Sequence, residues 1–127
     1  MGMESYKLGK WGENRAEKFL QQEGYQILDR NFRSSQGEID LVAKDLETLV
    51  FVEVKNYSYR SFGQPLNAIS QHKKKSLVHA AKFYLLKNNI SNAYCRFDVL
   101  TFFWQEWGGC VIDHIKNAFG LDGKKLC

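Results

Sequence analysis

GEIDLVAKDLETLVFVEVK, residues 37–55, carries charge where a buried strand should carry none. Asp40, Glu53 and Lys55 interrupt two apolar runs, and Glu38 stands at their entrance. Burying such groups is expensive unless they are paired, exposed or holding something. The runs predict strands over 39–44 and 49–55, joined at DLET. With the turn centred between Leu46 and Glu47, Ile39 falls opposite Val54, Leu41 opposite Val52, and Ala43 opposite Val50. That face is apolar throughout and is the expected core side. The other face sets Val42 against Phe51, Asp40 against Glu53, and Glu38 against Lys55. A slip of one residue would carry charge into the core, so the sequence itself favours this register.

Facing residues on paired strands have Cβ atoms about 4.5–5.5 Å apart, and like charges there repel. Asp40 against Glu53 therefore implies either a protonated carboxyl with a raised pKa or a cation held between the two. Mg²⁺ suits such a place, because it takes oxygen ligands from one or two carboxylates plus water and phosphate. Lys55, two residues beyond Glu53, points the same way, where an ammonium can orient a water or offset charge on a transition state. The plain alternative is a solvated strand face with Glu38 and Lys55 as a simple ion pair. What favours a site is the conjunction: facing acids, a lysine in phase, and Val42 and Phe51 beside them.

Working outward, 4–23 predicts a helix from the spacing of Leu8, Gly12, Ala16, Phe19 and Leu20, with Gly24 as its stop. Glu13 lies on the border of that apolar stripe and Glu17 further towards solvent. YQILDRNF, 25–32, predicts a first strand closed by RSSQG, and a second helix spans about 66–88. AYCRFDVLTFFW predicts a long strand and CVIDHI a shorter one after Gly108-Gly109, with the remainder a loose tail. A three-strand meander followed by a helical crossover implies a mixed sheet with helices packed on it. The 127 residues are 44% hydrophobic and 25% charged, enough for one core without staples. A net charge of +4 permits an anionic partner without demanding one. No apolar run is long enough to span a membrane, and no signal peptide is visible at the start. Cys95, Cys110 and Cys127, an odd set without CxxC spacing, suggest reduced thiols in a cytoplasmic protein.

Asp40 followed by Glu53-Val54-Lys55 resembles the D…ExK signature of the PD-(D/E)xK nuclease superfamily. GKWGENRAEKFLQQEGYQILDRNFR, GEIDLVA, VFVEVK, FGQPLNAI, RFDV and NAF together resemble the YraN family of predicted bacterial endonucleases, from Gly9 to Phe119. That family is similar to archaeal Holliday-junction resolvases, which also place a glutamate on the first helix; by position before GY it corresponds to Glu13. Ile39 stands where the superfamily name implies proline, which leaves the carboxylate ligand intact. The resemblance implies an α/β restriction-endonuclease-like fold: helix, three-strand meander, helix, two strands, in one domain over 1–119 with a tail over 120–127. It further implies Mg²⁺- or Mn²⁺-dependent hydrolysis of phosphodiester bonds in DNA, including branched or recombination intermediates. Asp40 and Glu53 would bind the metal with the Val54 carbonyl, Glu13 would complete the shell, and Lys55 would position the attacking water.

Further contacts to nucleic acid are expected from Lys73, Lys74 and Lys75 in QHKKK and from Tyr57, Tyr59 and Arg60 in the loop leaving Lys55. Lys73, four residues from both Ile69 and Leu77, either reaches the phosphate or packs its stem and snorkels its head out. The other two lysines equally fit a solvated helix face, and the loop an aromatic contact across a dimer. Trp11, Trp104 and Trp107 read as packing residues and Cys95 as core, while Asp98 has no role that spacing assigns. The expected partner is DNA, with RNA open, and a two-fold homodimer would suit symmetric cutting of a junction. Readings from other classes are a nucleic-acid-binding module that keeps the acidic site without catalysis, and a protein-interaction subunit using the fold as scaffold.

Overall fold

The chain runs helix, three strands, helix, two strands in a computed structural model that describes residues 2–58 and 69–119, with side chains from position 12 onward. The elements are α1 (Gly2–Gln22), β1 (Gln26–Ser34), β2 (Gly37–Asp45), β3 (Thr48–Ser58), α2 (Gln71–Lys87), β4 (Tyr94–Trp104) and β5 (Cys110–Phe119). Gly24, at φ +94°, turns the chain out of α1, and the Tyr25 amide returns to the Leu20 carbonyl at 2.9 Å. Ser70 starts α2: its hydroxyl accepts the Lys73 N–H at 3.1 Å. The predicted start at 66 is thus corrected to Gln71, because Ile69 and Ser70 are the approach and the cap. Positions 59–68 and 120–127 lie outside the described residues.

The strands form one sheet in the order β1-β2-β3-β4-β5. Only β3 and β4 are parallel, as the crossover through α2 requires. Strand β5 runs on through Phe119, which stacks on Phe97 at 4.9 Å, so Lys116–Phe119 belong to the sheet rather than to a loose tail.

Both faces are core, which corrects the one-sided expectation. Ala16 and Leu20 of α1 pack on Leu41, Ala43, Val50, Val52, Leu100 and Phe102. On the opposite face Leu77, Ala80, Tyr84 and Leu85 of α2 cover Val42, Phe51 and Phe97. Covering on both sides explains why LVFV in β3 is an unbroken apolar run. Ile39 is a second correction: it joins Phe32 and Val42 on the α2 face, not Leu41 on the α1 face. The cause lies in the neighbouring strand. Asn31 takes a left-handed φ of +50°, and around it Arg30 pairs with Leu41 while Phe32 pairs with Ile39. Alternation therefore breaks at Asn31 and at Asp40 opposite it.

Candidate functional site

The β2–β3 ladder holds the expected register from Leu41 opposite Val52 to Asp45 opposite Thr48. Beyond Leu41 the two strands part. Asp40 uses the gap: its Oδ2 accepts the Val54 N–H at 2.7 Å, so it is bonded to the backbone of β3 rather than set squarely against Glu53. The two carboxyls still lie close enough for the Glu53 charge to act on Asp40. Burial first, then the Glu53 charge, pushes Asp40 up to about 7, against the opposing pull of the Val54 N–H and of Lys73.

Lys73 reaches this pair from α2, with Nζ 3.5 Å from Glu53 Oε2. The Glu53 side chain is only 12% exposed, so the contact is to a shielded carboxylate. Lys73 thus turns inward to the site. Lys55 stands half-buried two residues along β3. Glu38 does not pair with it; it bonds Arg33 at 3.2 Å, because the β1–β2 register sets those two opposite each other. Glu13 accepts from Asn31 Nδ2 at 3.2 Å, which anchors it to the residue flanking Asp40 and keeps it apart from the acid pair. Among the described residues no three His, Cys, Asp or Glu side chains converge on a point that could hold a metal ion, so the expected ligand set including Glu13 is not assembled. The donors that do fit are Asp40, Glu53 and the Val54 carbonyl, which faces the same neighbouring strand as its N–H. Two carboxylates and a carbonyl are hard oxygen donors, the kind Mg²⁺ and Mn²⁺ take together with water and phosphate.

The remaining expected contacts scatter. Tyr57 stacks on Phe103 at 5.7 Å, Lys74 lies over the Phe119 ring at 5.8 Å, and Lys75 is exposed on α2. Tyr59 and Arg60 lie outside the described residues. Trp104 packs as expected, donating to Asn56 Oδ1 at 2.8 Å, whereas Trp107 is 78% exposed and corrects the expectation of packing. The role missing for Asp98 is a buried one. It is fully enclosed on the α1 face, taking bonds from Arg96 Nε at 2.9 Å and the Asn117 N–H at 3.0 Å, with His114 Nε2 at 2.8 Å. Arg96 also bonds Tyr25 Oη and, at 3.0 Å, Asp45. Burial alone would raise Asp98, but bonds from His114, Arg96 and the Asn117 amide hold it below the usual carboxylate range.

A mixed sheet between two helices, with an acid pair where neighbouring strands part and Lys73 reaching it from α2, defines an α/β protein of the restriction-endonuclease-like class. Residues 12–102 match the model of the uncharacterised protein family UPF0102, the YraN family, and the chain belongs to it. It is 42% identical over 120 residues to a UPF0102 protein of Persephonella marina, covering 94% of this chain and 99% of that one. A Clostridioides difficile UPF0102 protein is 39% identical over 117 residues, 92% of this chain and 100% of its own, and one from Pseudomonas putida 44% over 112 residues, 87% and 91%. Among the described residues no helix is long and apolar enough to cross a membrane.

Proposed function

We propose that the protein is a divalent-metal-dependent nuclease of the cytoplasm that hydrolyses phosphodiester bonds in DNA, branched intermediates included. The supporting observation is the carboxyl pair Asp40 and Glu53, held together at a cost that leaves Asp40 protonated up to about pH 7, with Lys73 at 3.5 Å. A fold alone gains nothing from that arrangement. Asp40, Glu53 and the Val54 carbonyl would hold Mg²⁺ or Mn²⁺. The ion, when bound, supplies Lewis acidity towards water and phosphate. Lys55 donates a hydrogen bond to the attacking water and keeps it in line with the scissile bond. Lys73, the counter-charge of Glu53, turns towards the substrate phosphate. Glu13 acts through Asn31, fixing the kink that presents Asp40.

The test is cleavage of labelled four-way junction, flap, single strand and duplex with Mg²⁺, with Mn²⁺ and with EDTA, beside Glu53→Ala. Metal-dependent cutting is expected for the wild type and none for the variant, which stays folded because like-charge repulsion is relieved. If both proteins bind DNA equally and neither cuts, the protein is a binding module with an acidic metal site. If neither binds, the scaffold reading takes its place.

A further inference from the structure

The tip of the β1–β2 hairpin leans on the second turn of α2. A Cβ at Gly37 would lie 2.6 Å from the Ser76 carbonyl, so this contact is backbone to backbone. An open depression of about 410 Å³ remains beside it, walled by Arg33 and Ser34 from β1, Glu38 from β2, and His72, Lys73 and Ser76 from α2. Lys73 belongs to both places, lining the depression and reaching Glu53. Lys73 thus links the depression to the acid pair.

Its charge is unusual for the place it occupies. The first turn of α2 holds no acidic residue and instead begins Gln-His-Lys-Lys, followed by Lys75. Cations are disfavoured at that end of a helix, where the peptide dipoles already present positive charge. Lys73 is compensated by Glu53, and Arg33 by Glu38 at 3.2 Å, but among the described residues no carboxylate other than Glu38 lines the depression. The Ser70 hydroxyl and carbonyl take the amides of Lys73 and Lys74, which leaves those of Gln71 and His72 at the open end. Arginine, lysine and backbone amides around one concavity are the donors that a phosphate takes. The wide opening admits a passing strand rather than enclosing a small molecule.

Resting on the nucleic-acid reading above, we propose that this depression binds a backbone phosphate of the same strand, flanking the phosphate presented to Asp40 and Glu53. Arg33 and His72 are its side-chain ligands, and Glu38 is the counter-charge that Arg33 exchanges for phosphate.

The experiment is anisotropy of a labelled duplex and a four-way junction with the full chain in EDTA, over a range of KCl concentrations. It compares wild type with Arg33→Ala, His72→Ala, Glu38→Gln and, as a control far from the depression, Lys44→Ala. Arg33 is 77% and Glu38 51% exposed, so these variants fold, and circular dichroism checks it. Arg33→Ala is expected to weaken duplex binding about five- to tenfold and to lower the salt slope by about 0.9, the value of one lost phosphate contact. His72→Ala weakens binding, and Glu38→Gln tightens it. Variants that bind no differently from Lys44→Ala overturn the proposal, as does a wild type that binds no DNA. Displacement of the duplex by micromolar inorganic phosphate or mononucleotide would also overturn it, by assigning the depression to a small ligand. A wild type that binds in the expected pattern but never cuts overturns only the nuclease reading.

Discussion

Asp40 is a carboxyl that the fold keeps from ionising. Its ordinary value is 3.8 and burial, with Glu53 beside it, raises it to about 7. Between those values the folded chain holds a proton that the unfolded chain has released, so stability falls as pH rises through this window and stays low above it. A shift of this size corresponds to about 4 kcal/mol. Urea unfolding in EDTA should show the wild type less stable at pH 8 than at pH 5. Asp40→Asn, which cannot ionise, should remove most of that difference and be the more stable protein at pH 8. An unchanged pH dependence in Asp40→Asn would mean that the site stores no such strain. Mg²⁺ at pH 8 should restore stability to the wild type and do little for Asp40→Asn, since an ion that binds the folded state alone shifts the equilibrium towards it. The carboxyl's dilemma was legible in the sequence, because two acids in phase on paired strands must share a proton or a cation. Its bond to the Val54 amide was not, because that depends on the strands parting beyond Leu41.

At the scale of elements, two glycines hold helices close to the sheet by different means. A Cβ at Gly12 of α1 would meet the side-chain amide of Asn56 at 2.3 Å, whereas one at Gly37 would meet the Ser76 backbone carbonyl at 2.6 Å. Asn56 can swing away, at the expense of its bond from Trp104. That loss of about 0.5–1.5 kcal/mol is offset by the roughly 1 kcal/mol that alanine gains over glycine in a helix. Gly12→Ala should therefore leave the urea midpoint nearly unchanged. Gly37→Ala must lift the whole hairpin tip from α2 and should destabilise by about 1–3 kcal/mol, with DNA binding weakened as Arg33 moves with the tip. Equal effects from the two substitutions would show that the two contacts are not so different. Sequence reasoning found the elements because each has its own period and stops, and it found the β2–β3 register because only one pairing keeps charge out of the core. Glu38 was given the wrong partner for want of the same treatment one hairpin earlier. A turn centred between Ser35 and Gln36 in SSQG would have set Arg33 against Glu38 and Phe32 against Ile39, which is the pairing found. The change of face at Ile39 had no such signal, since a left-handed asparagine inside a strand is invisible to alternation.

Taken whole, the molecule places its two clusters of buried charge on opposite faces of one sheet, with opposite consequences. Under α2, burial and Glu53 hold the proton on Asp40 up to about pH 7. Under α1, Asp98 joins Arg96, His114 and the Asn117 amide, which ties β4 to β5, while Arg96 extends to Tyr25 and Asp45. Spacing assigned Asp98 no role and gave no sign of these partners. Those depend on the shifted pairing of β5 between Phe97 and Val99, where Asn117 takes a φ of +51° and turns its amide to Asp98. The sign of the pH effect is reversed here. The folded pKa of Asp98 lies below 3.8, so its contribution is present above that value and is lost as pH falls through the folded one. Removing one member of a buried, satisfied network strands the others, so Asp98→Ala should cost about 3–5 kcal/mol in urea unfolding at pH 7. Asp40→Asn should gain stability under the same conditions. If the acid pair is the working site and the Asp98 cluster its frame, the two variants must also part in function. At a temperature where both remain folded, Asp98→Ala should still bind Mg²⁺ in a calorimetric titration, and Asp40→Asn should not. A folded Asp98→Ala chain that lost the metal as completely as Asp40→Asn would make the two clusters one cooperative unit, coupled through the sheet between them.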